Sequence, residues 1–160
     1  MRSGVARRCG EWQWARTVSH DSADNEPQHA KQDHLYALLK AAKAAGVPKV
    51  FIHFFGDGRD TDPKSGAGYM EELLGKIKEI GAGQIATVVG RYYAMDRDKR
   101  WERNELALKG MILGEGEESS DPVKTIKQRY EKGENDEFLK PIIVGGKEGR
   151  IQGMQPPPTL

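Results

Sequence analysis

Two short stretches hold the residue types best suited to chemistry. The first, GDGRDTDPKSGAG (56–68), sets Arg59 beside Asp60 among glycines. The second, GRYYAMDRDKRWER (90–103), carries Arg91 and Arg97 with two adjacent tyrosines. A guanidinium is a planar fork of donors matched to a carboxylate or a phosphate. An aspartate next to it can accept from a ligand hydroxyl or take up a proton. The same residues also allow plainer roles. Arg59 and Asp60 can form a loop salt bridge or a turn cap, and Arg91 and Arg97 can sit in a solvated cluster with Asp96, Asp98 and Glu102. Gly56, Gly58, Gly66 and Gly68 let backbone come close to a ligand, or simply make turns.

The elements around these stretches favour a shared site. KVFIHFF (49–55) is apolar at nearly every position, as expected of a parallel strand covered on both faces. The β-branched run Ile85 to Val89 reads the same way and ends at Gly90. Each arginine loop therefore follows a strand, where open α/β sheets bind their ligands. Between and around them, helical stripes appear. Asp33 can cap a helix with Leu35, Leu38, Leu39, Ala42 and Ala45 on one face, closed by Gly46. Met70, Leu73, Leu74, Ile77 and Ile80 mark a second helix ending at Gly81. A charged helix is expected over about 98–113, and Asp121-Pro122 opens another that runs to about Lys132. Residues 141–144 read as a last strand. The fold class is α/β, a mainly parallel sheet with flanking helices and right-handed crossovers, with an irregular N-terminal segment over 1–28 and an extended tail, MQPPPTL (154–160).

Composition narrows the partners. In 160 residues, 25 basic and 24 acidic side chains are well mixed, so no broad field draws nucleic acid or an anionic membrane. Trp12, Trp14 and Trp101 are not interleaved with a basic stripe for single-stranded nucleic acid. No run approaches the roughly 20 apolar residues of a membrane span, and the arginine-rich start lacks the apolar stretch of a secretory signal. A cytoplasmic chain is the expectation. The lone Cys9 excludes an internal disulfide and a cysteine metal cage. Phosphate-loop and dinucleotide fingerprints are absent, which disfavours a kinase or a dinucleotide enzyme. His53, inside an apolar strand, reads as a core histidine. His20 with Asp21 and Asp24 has the spacing of no structural metal site and reads as loop.

The irregular motifs themselves carry a resemblance. DGRDTDPKSGAGYMEEL (57–73) and GRYYAMDRDKRWER (90–103) resemble the substrate-binding, phosphotransferase domain of cofactor-independent (2,3-bisphosphoglycerate-independent) phosphoglycerate mutase. HLYALLKAAKAAGVPKVFIHFF (34–55), SDPVKTIKQRYEKGENDEFLKPIIV (120–144) and GRIQG (149–153) extend the likeness from about His29 to Gly153. The resemblance implies an isomerase of glycolysis that interconverts 3-phosphoglycerate and 2-phosphoglycerate and needs no 2,3-bisphosphoglycerate. It also implies that the positions of Arg59, Asp60, Arg91 and Arg97 bind phosphoglycerate. The arginines would hold carboxylate and phosphate, and Asp60 would contact the glycerate hydroxyls as a candidate acid/base. His29 falls in register with a substrate-binding histidine of the family's GGVHSH element. The residues around it read NEPQHAK (25–31), without either glycine and with Lys31 in place of the second histidine.

In the resembling family a serine and two metal ions, manganese, reside on a separate phosphatase-like domain. No segment here resembles that domain, so the manganese ligands are not expected in this chain. The implied organisation is a divergent segment (1–28), an incomplete substrate-binding domain (29–153) and a proline-rich tail (154–160). Both ends leave the resemblance abruptly, as a truncated or misjoined gene model would. The chain is then the substrate-binding portion of a usually monomeric mutase, inactive alone and lacking its phosphatase-like partner domain. The alternatives are an anion-binding module without catalysis and a nonfunctional fragment.

Overall fold

In a computed structural model of the protein, residues 11–18 and 32–151 are described. Five strands form one sheet in the order β1-β2-β3-β5-β4. They are β1 (Glu11–Val18), β2 (Lys49–Gly56), β3 (Gln84–Gly90), β4 (Glu117–Glu118) and β5 (Ile142–Ile143). The helices are α1 (Gln32–Ala44), α2 (Gly66–Ile80), α3 (Arg91–Ala94), α4 (Trp101–Leu108) and α5 (Pro122–Glu131).

The two central strands are buried on both faces because helices cover both. Ile52, Phe54 and Val88 pack with Leu35, Leu39, Met70 and Leu73 of α1 and α2. On the opposite face Val89 packs with Ala107 and Met111, and Phe55 and Ile151 close that smaller cluster. The helix stops follow the sequence. Gly46 and Gly81 both adopt φ +69°. Val47 N–H donates to the carbonyl of Ala42 and Gly46 N–H to that of Lys43, the paired bonds of a Schellman C-terminus that only a residue tolerant of positive φ completes. Asp121 caps α5 through Lys124 N–H, with Pro122 behind it.

Five expectations need correction. First, the segment 1–28 is not wholly irregular: Glu11–Val18 pairs in parallel with all of β2, from Glu11 opposite Lys49 to Val18 opposite Gly56. Without it β2 would be a sheet edge with a row of unpaired backbone groups. Second, β5 runs antiparallel to β3, with Thr87 opposite Ile143. The chain returns to the sheet beside the carboxyl end of β3, where Gly90 N–H donates to the carbonyl of Leu139 at 2.7 Å. A strand that starts at that end must run the other way. Third, the helix expected over 98–113 is α4 followed by a π-helical turn over Lys109–Leu113. Gly110 lies there against Pro141, and a Cβ at Gly110 would sit 2.7 Å from the proline ring. Fourth, the second arginine loop contains a short helix, α3, which begins at Arg91 itself. Fifth, Asp33 falls inside the first turn of α1 rather than ahead of it. The tail 154–160 and His29 lie outside the described residues.

Candidate functional site

Parallel pairing puts the two loops side by side. Gly56 and Gly90, the last residues of β2 and β3, are register partners, so the chain leaves the sheet at the same level in both strands. Asp57 follows the first of these glycines and Arg91 the second. Arg91 Nη1 donates to Asp57 Oδ1 at 2.5 Å and to Asp60 Oδ2 at 2.7 Å. One guanidinium thus ties the two loops together.

Asp57 is the centre of the arrangement. Its carboxylate is 1% exposed. Besides Arg91, Oδ1 accepts from Arg59 N–H at 3.2 Å and Asp60 N–H at 3.3 Å. These are the bonds of an Asx turn, in which an aspartate reads the backbone two and three residues on. Oδ2 is buried with no hydrogen-bond partner among the described residues. Gly58, at φ +67°, makes the turn possible. The turn carries Arg59 and Asp60 out of the sheet with their backbones fixed by the same oxygen that holds Arg91. Burial alone would lower the affinity of Arg91 for its proton, but the hydrogen bonds and charges of Asp60 and Asp57 outweigh this and raise its pKa.

Arg59 points to a third segment. Its Nη2 lies 2.8 Å from Glu137 Oε1, in a 3-10 turn over Asp136–Phe138. Asp136 in the same turn accepts from Gly66 N–H at 2.7 Å and caps α2, whose own N-cap Ser65 makes no side-chain cap. Tyr130 donates its hydroxyl proton to Asp136 and accepts from Ala67 N–H. Burial pushes the Asp136 carboxyl up, partly offset by the Tyr130 hydroxyl and the Gly66 amide.

Arg97 is placed differently. It is exposed, between α3 and α4, and makes no ion pair with any described residue. Its loop is closed by Asp96, whose carboxylate is buried and accepts from Arg100 N–H and Arg103 Nη1, both at 2.8 Å. The Arg103 guanidinium lies 4.0 Å from the ring centre of Tyr92, which fixes α4 to α3 by a cation–π contact. Of the five residues singled out in the sequence, Arg59, Asp60 and Arg91 converge around Asp57. Arg97 stands apart in the same loop.

The residues the sequence reading passed over are Asp57, Asp136 and Glu137. Asp57 had a signal, since an aspartate directly after a strand and before Gly is an Asx-turn pattern. Asp136 and Glu137 had none, because their partners lie 70 and 78 residues away. His53 is the core histidine expected: its Nδ1 lies 2.9 Å from Thr87 Oγ1, and burial lowers its pKa to about 4. Among the described residues no group of three or more His, Cys, Asp or Glu is placed to hold a metal ion. These residues therefore do not fit a manganese site. No described helix is long and apolar enough to cross a membrane.

Cationic side chains at the carboxyl ends of adjacent parallel strands place this chain among the α/β domains, whose ligands bind at such strand ends. The sequence model described as "BPG-independent PGAM N-terminus" matches residues 25–156, and the chain belongs to that family, the BPG-independent phosphoglycerate mutases. It is 54% identical over 127 residues to the 2,3-bisphosphoglycerate-independent phosphoglycerate mutase of Caenorhabditis elegans, covering 78% of this chain and 24% of the relative. The Clostridioides difficile protein of the same name is 52% identical over 116 residues, or 72% of this chain and 23% of that one. The fold is similar to a crystal structure of Leishmania mexicana phosphoglycerate mutase determined at low cobalt concentration. There the TM-score is 0.77 at 21% identity, over 94% of this chain and 28% of the other. The chain spans about a quarter of the length of the curated relatives it matches.

Proposed function

We propose that this chain is the substrate-binding portion of a glycolytic phosphoglycerate mutase and holds 3-phosphoglycerate or 2-phosphoglycerate between its two arginine loops. The observation that supports this most directly is the shared geometry of Arg91, Asp60 and Asp57 at the register-matched ends of β2 and β3. Arg91 offers a fork to a carboxylate or phosphate from a fixed position, Arg59 supplies further positive charge, and Arg97, exposed in the same loop, is assigned to the ligand by the family resemblance. Asp60 is the group suited to the glycerate hydroxyls, as acceptor and candidate acid/base. Its carboxylate is 36% exposed, so it can leave Arg91 without being stranded in the protein interior. His29 belongs to this reading as a substrate contact by family register.

Isomerisation requires moving a phosphoryl group between two hydroxyls. In this reading the nucleophile and the manganese ions that would activate it belong to the part of the family's chain that this one does not span. The chain's own residues bind the glycerate, orient it and hold it while the group moves. Turnover is proposed for the domain joined to its phosphatase-like partner, in the cytoplasm, without 2,3-bisphosphoglycerate.

The test is calorimetric titration of the purified chain with 3-phosphoglycerate, beside an Arg97→Ala variant. Arg97 is exposed and unpaired among the described residues, so the variant should fold as the parent does. The reading expects saturable binding that weakens about tenfold in the variant, the effect of roughly 1.4 kcal/mol. A cooperatively folded chain that takes up no phosphoglycerate at millimolar concentrations would refute it.

A further inference from the structure

Gly56, Gly58 and Gly90, at the roots of the arginine loops, touch protein rather than open space. A Cβ at Gly56 would sit 2.8 Å from the carbonyl oxygen of Asp136, and one at Gly58 would sit 2.8 Å from the amide nitrogen of Glu137. At Gly90 it would run into the Glu137 carbonyl oxygen. Three glycines from two loops thus open the space that the 135–138 turn fills. The turn is also bonded to both sides. Asp136 N–H donates to the carbonyl of Pro63 at 2.9 Å in the first loop, and Leu139 accepts from Gly90 N–H at 2.7 Å at the root of the second. Phe138 packs on Tyr92 with ring centres 4.8 Å apart. From this wedge Glu137, with 12% of its side chain exposed, reaches Arg59, whose own side chain is half exposed.

We propose that Glu137 is a positioning residue for anion binding: it holds the Arg59 guanidinium for the ligand proposed between the loops, while the turn that carries it sets the separation of the two loops. This rests on reading the arginine cluster as a phosphoglycerate site. A long side chain such as arginine loses rotamer freedom when it binds. A carboxylate that already restrains it reduces that loss on ligand entry. Positioning and bulk charge predict opposite results for Glu137→Gln. Removing a negative charge beside the site should tighten anion binding if charge alone matters. Releasing Arg59 should weaken it.

The experiment is titration with 3-phosphoglycerate of the parent chain, Glu137→Gln, Arg59→Ala, the double variant and Glu137→Asp, with thermal unfolding recorded for each. Glu137→Gln is expected to weaken binding about tenfold, and to weaken it no further once Arg59 is alanine, because coupled residues are not additive. Glu137→Asp keeps the charge but draws it back by one methylene. It should lose affinity like the glutamine variant, and it decides the matter if Glu137→Gln fails to fold or Arg59→Ala abolishes binding. Unchanged or tighter binding in Glu137→Gln overturns the proposal. So does parental affinity in Glu137→Asp, or an undiminished glutamine effect in the Arg59→Ala background. A folded parent chain that does not bind 3-phosphoglycerate overturns the substrate reading and this inference with it, whereas a binding parent with any of those three results overturns the inference alone.

Discussion

Replacing Arg91 by alanine should damage the fold before it reports on binding. The reason lies in Asp57, whose carboxylate is 1% exposed and whose shortest hydrogen bond, 2.5 Å, comes from Arg91. Breaking a buried pair by removing one partner costs about 3–5 kcal/mol, because an uncompensated charge stays behind. Two features move this site to the lower end. Asp57 keeps its bonds from the amides of Arg59 and Asp60, long as they are at 3.2 and 3.3 Å, and the truncated side chain leaves room for water. The second bond, to the 36%-exposed Asp60, adds under about 1 kcal/mol, as expected of a solvated pair. A loss of about 3 kcal/mol follows, a large share of the roughly 5–15 kcal/mol that stabilises a domain.

Urea unfolding at pH 7 followed by far-ultraviolet circular dichroism measures this directly. Asp57→Asn added to Arg91→Ala should restore about 1–2 kcal/mol, since a neutral amide is no longer a stranded charge. The reasoning fails if Arg91→Ala lies within about 0.5 kcal/mol of the parent, the range of an ordinary surface change. It also fails if Asp57→Asn costs the same with and without Arg91, since contacting residues should couple.

The buried His53 predicts an acid-sensitive fold. With a folded pKa of about 4 against 6.5 in the unfolded chain, the unfolded state takes up a proton between these values that the native state refuses. Its contribution is therefore complete above pH 6.5 and lost as pH falls toward 4. It amounts to about 2 kcal/mol between pH 7 and pH 5, and His53→Leu should remove that part of the slope in urea midpoints; an identical slope in both proteins would contradict it. Gly90→Ala should cost at least about 2 kcal/mol, because the new methyl meets the rigid Glu137 backbone rather than a yielding side chain. An unchanged urea midpoint would show that the turn does not press on β3.

What the sequence disclosed divides along the range of the interactions. Elements fixed by local chemistry were legible: the glycine stop at Gly46, the Asp121-Pro122 start, and the apolar runs of β2 and β3 with an arginine loop after each. These depend on residues within a turn or two of each other. The direction of β5 was not legible, because it follows from where the chain re-enters beside Gly90. Nor was the strand at 11–18. EWQWARTV has no clean alternation, and the backbone row of β2 supplies its reason to pair. At the site, the charge types were legible and their assignments only half so. Asp60 does pair with a cation, as the plainer reading of a loop salt bridge allowed, but with Arg91 across the strands rather than with its neighbour Arg59.

Under the proposed function, that pairing shapes how an anion would enter. Both Arg59 and Arg91 already face carboxylates, so a ligand would bind either of them by exchange. The partners of Arg91 are unequal: Asp57 is sealed in the interior and Asp60 is open to water. A ligand oxygen that displaces Asp60 costs a solvated pair worth under about 1 kcal/mol and gains a charge-assisted contact with a guanidinium whose position Asp57 already sets. The displaced Asp60 would remain beside the same ligand, within reach of a hydroxyl. A simple anion would gain only the first contact. A phosphorylated hydroxy acid, the proposed ligand, would gain both, with the buried aspartate fixing the guanidinium and the open one exchanging.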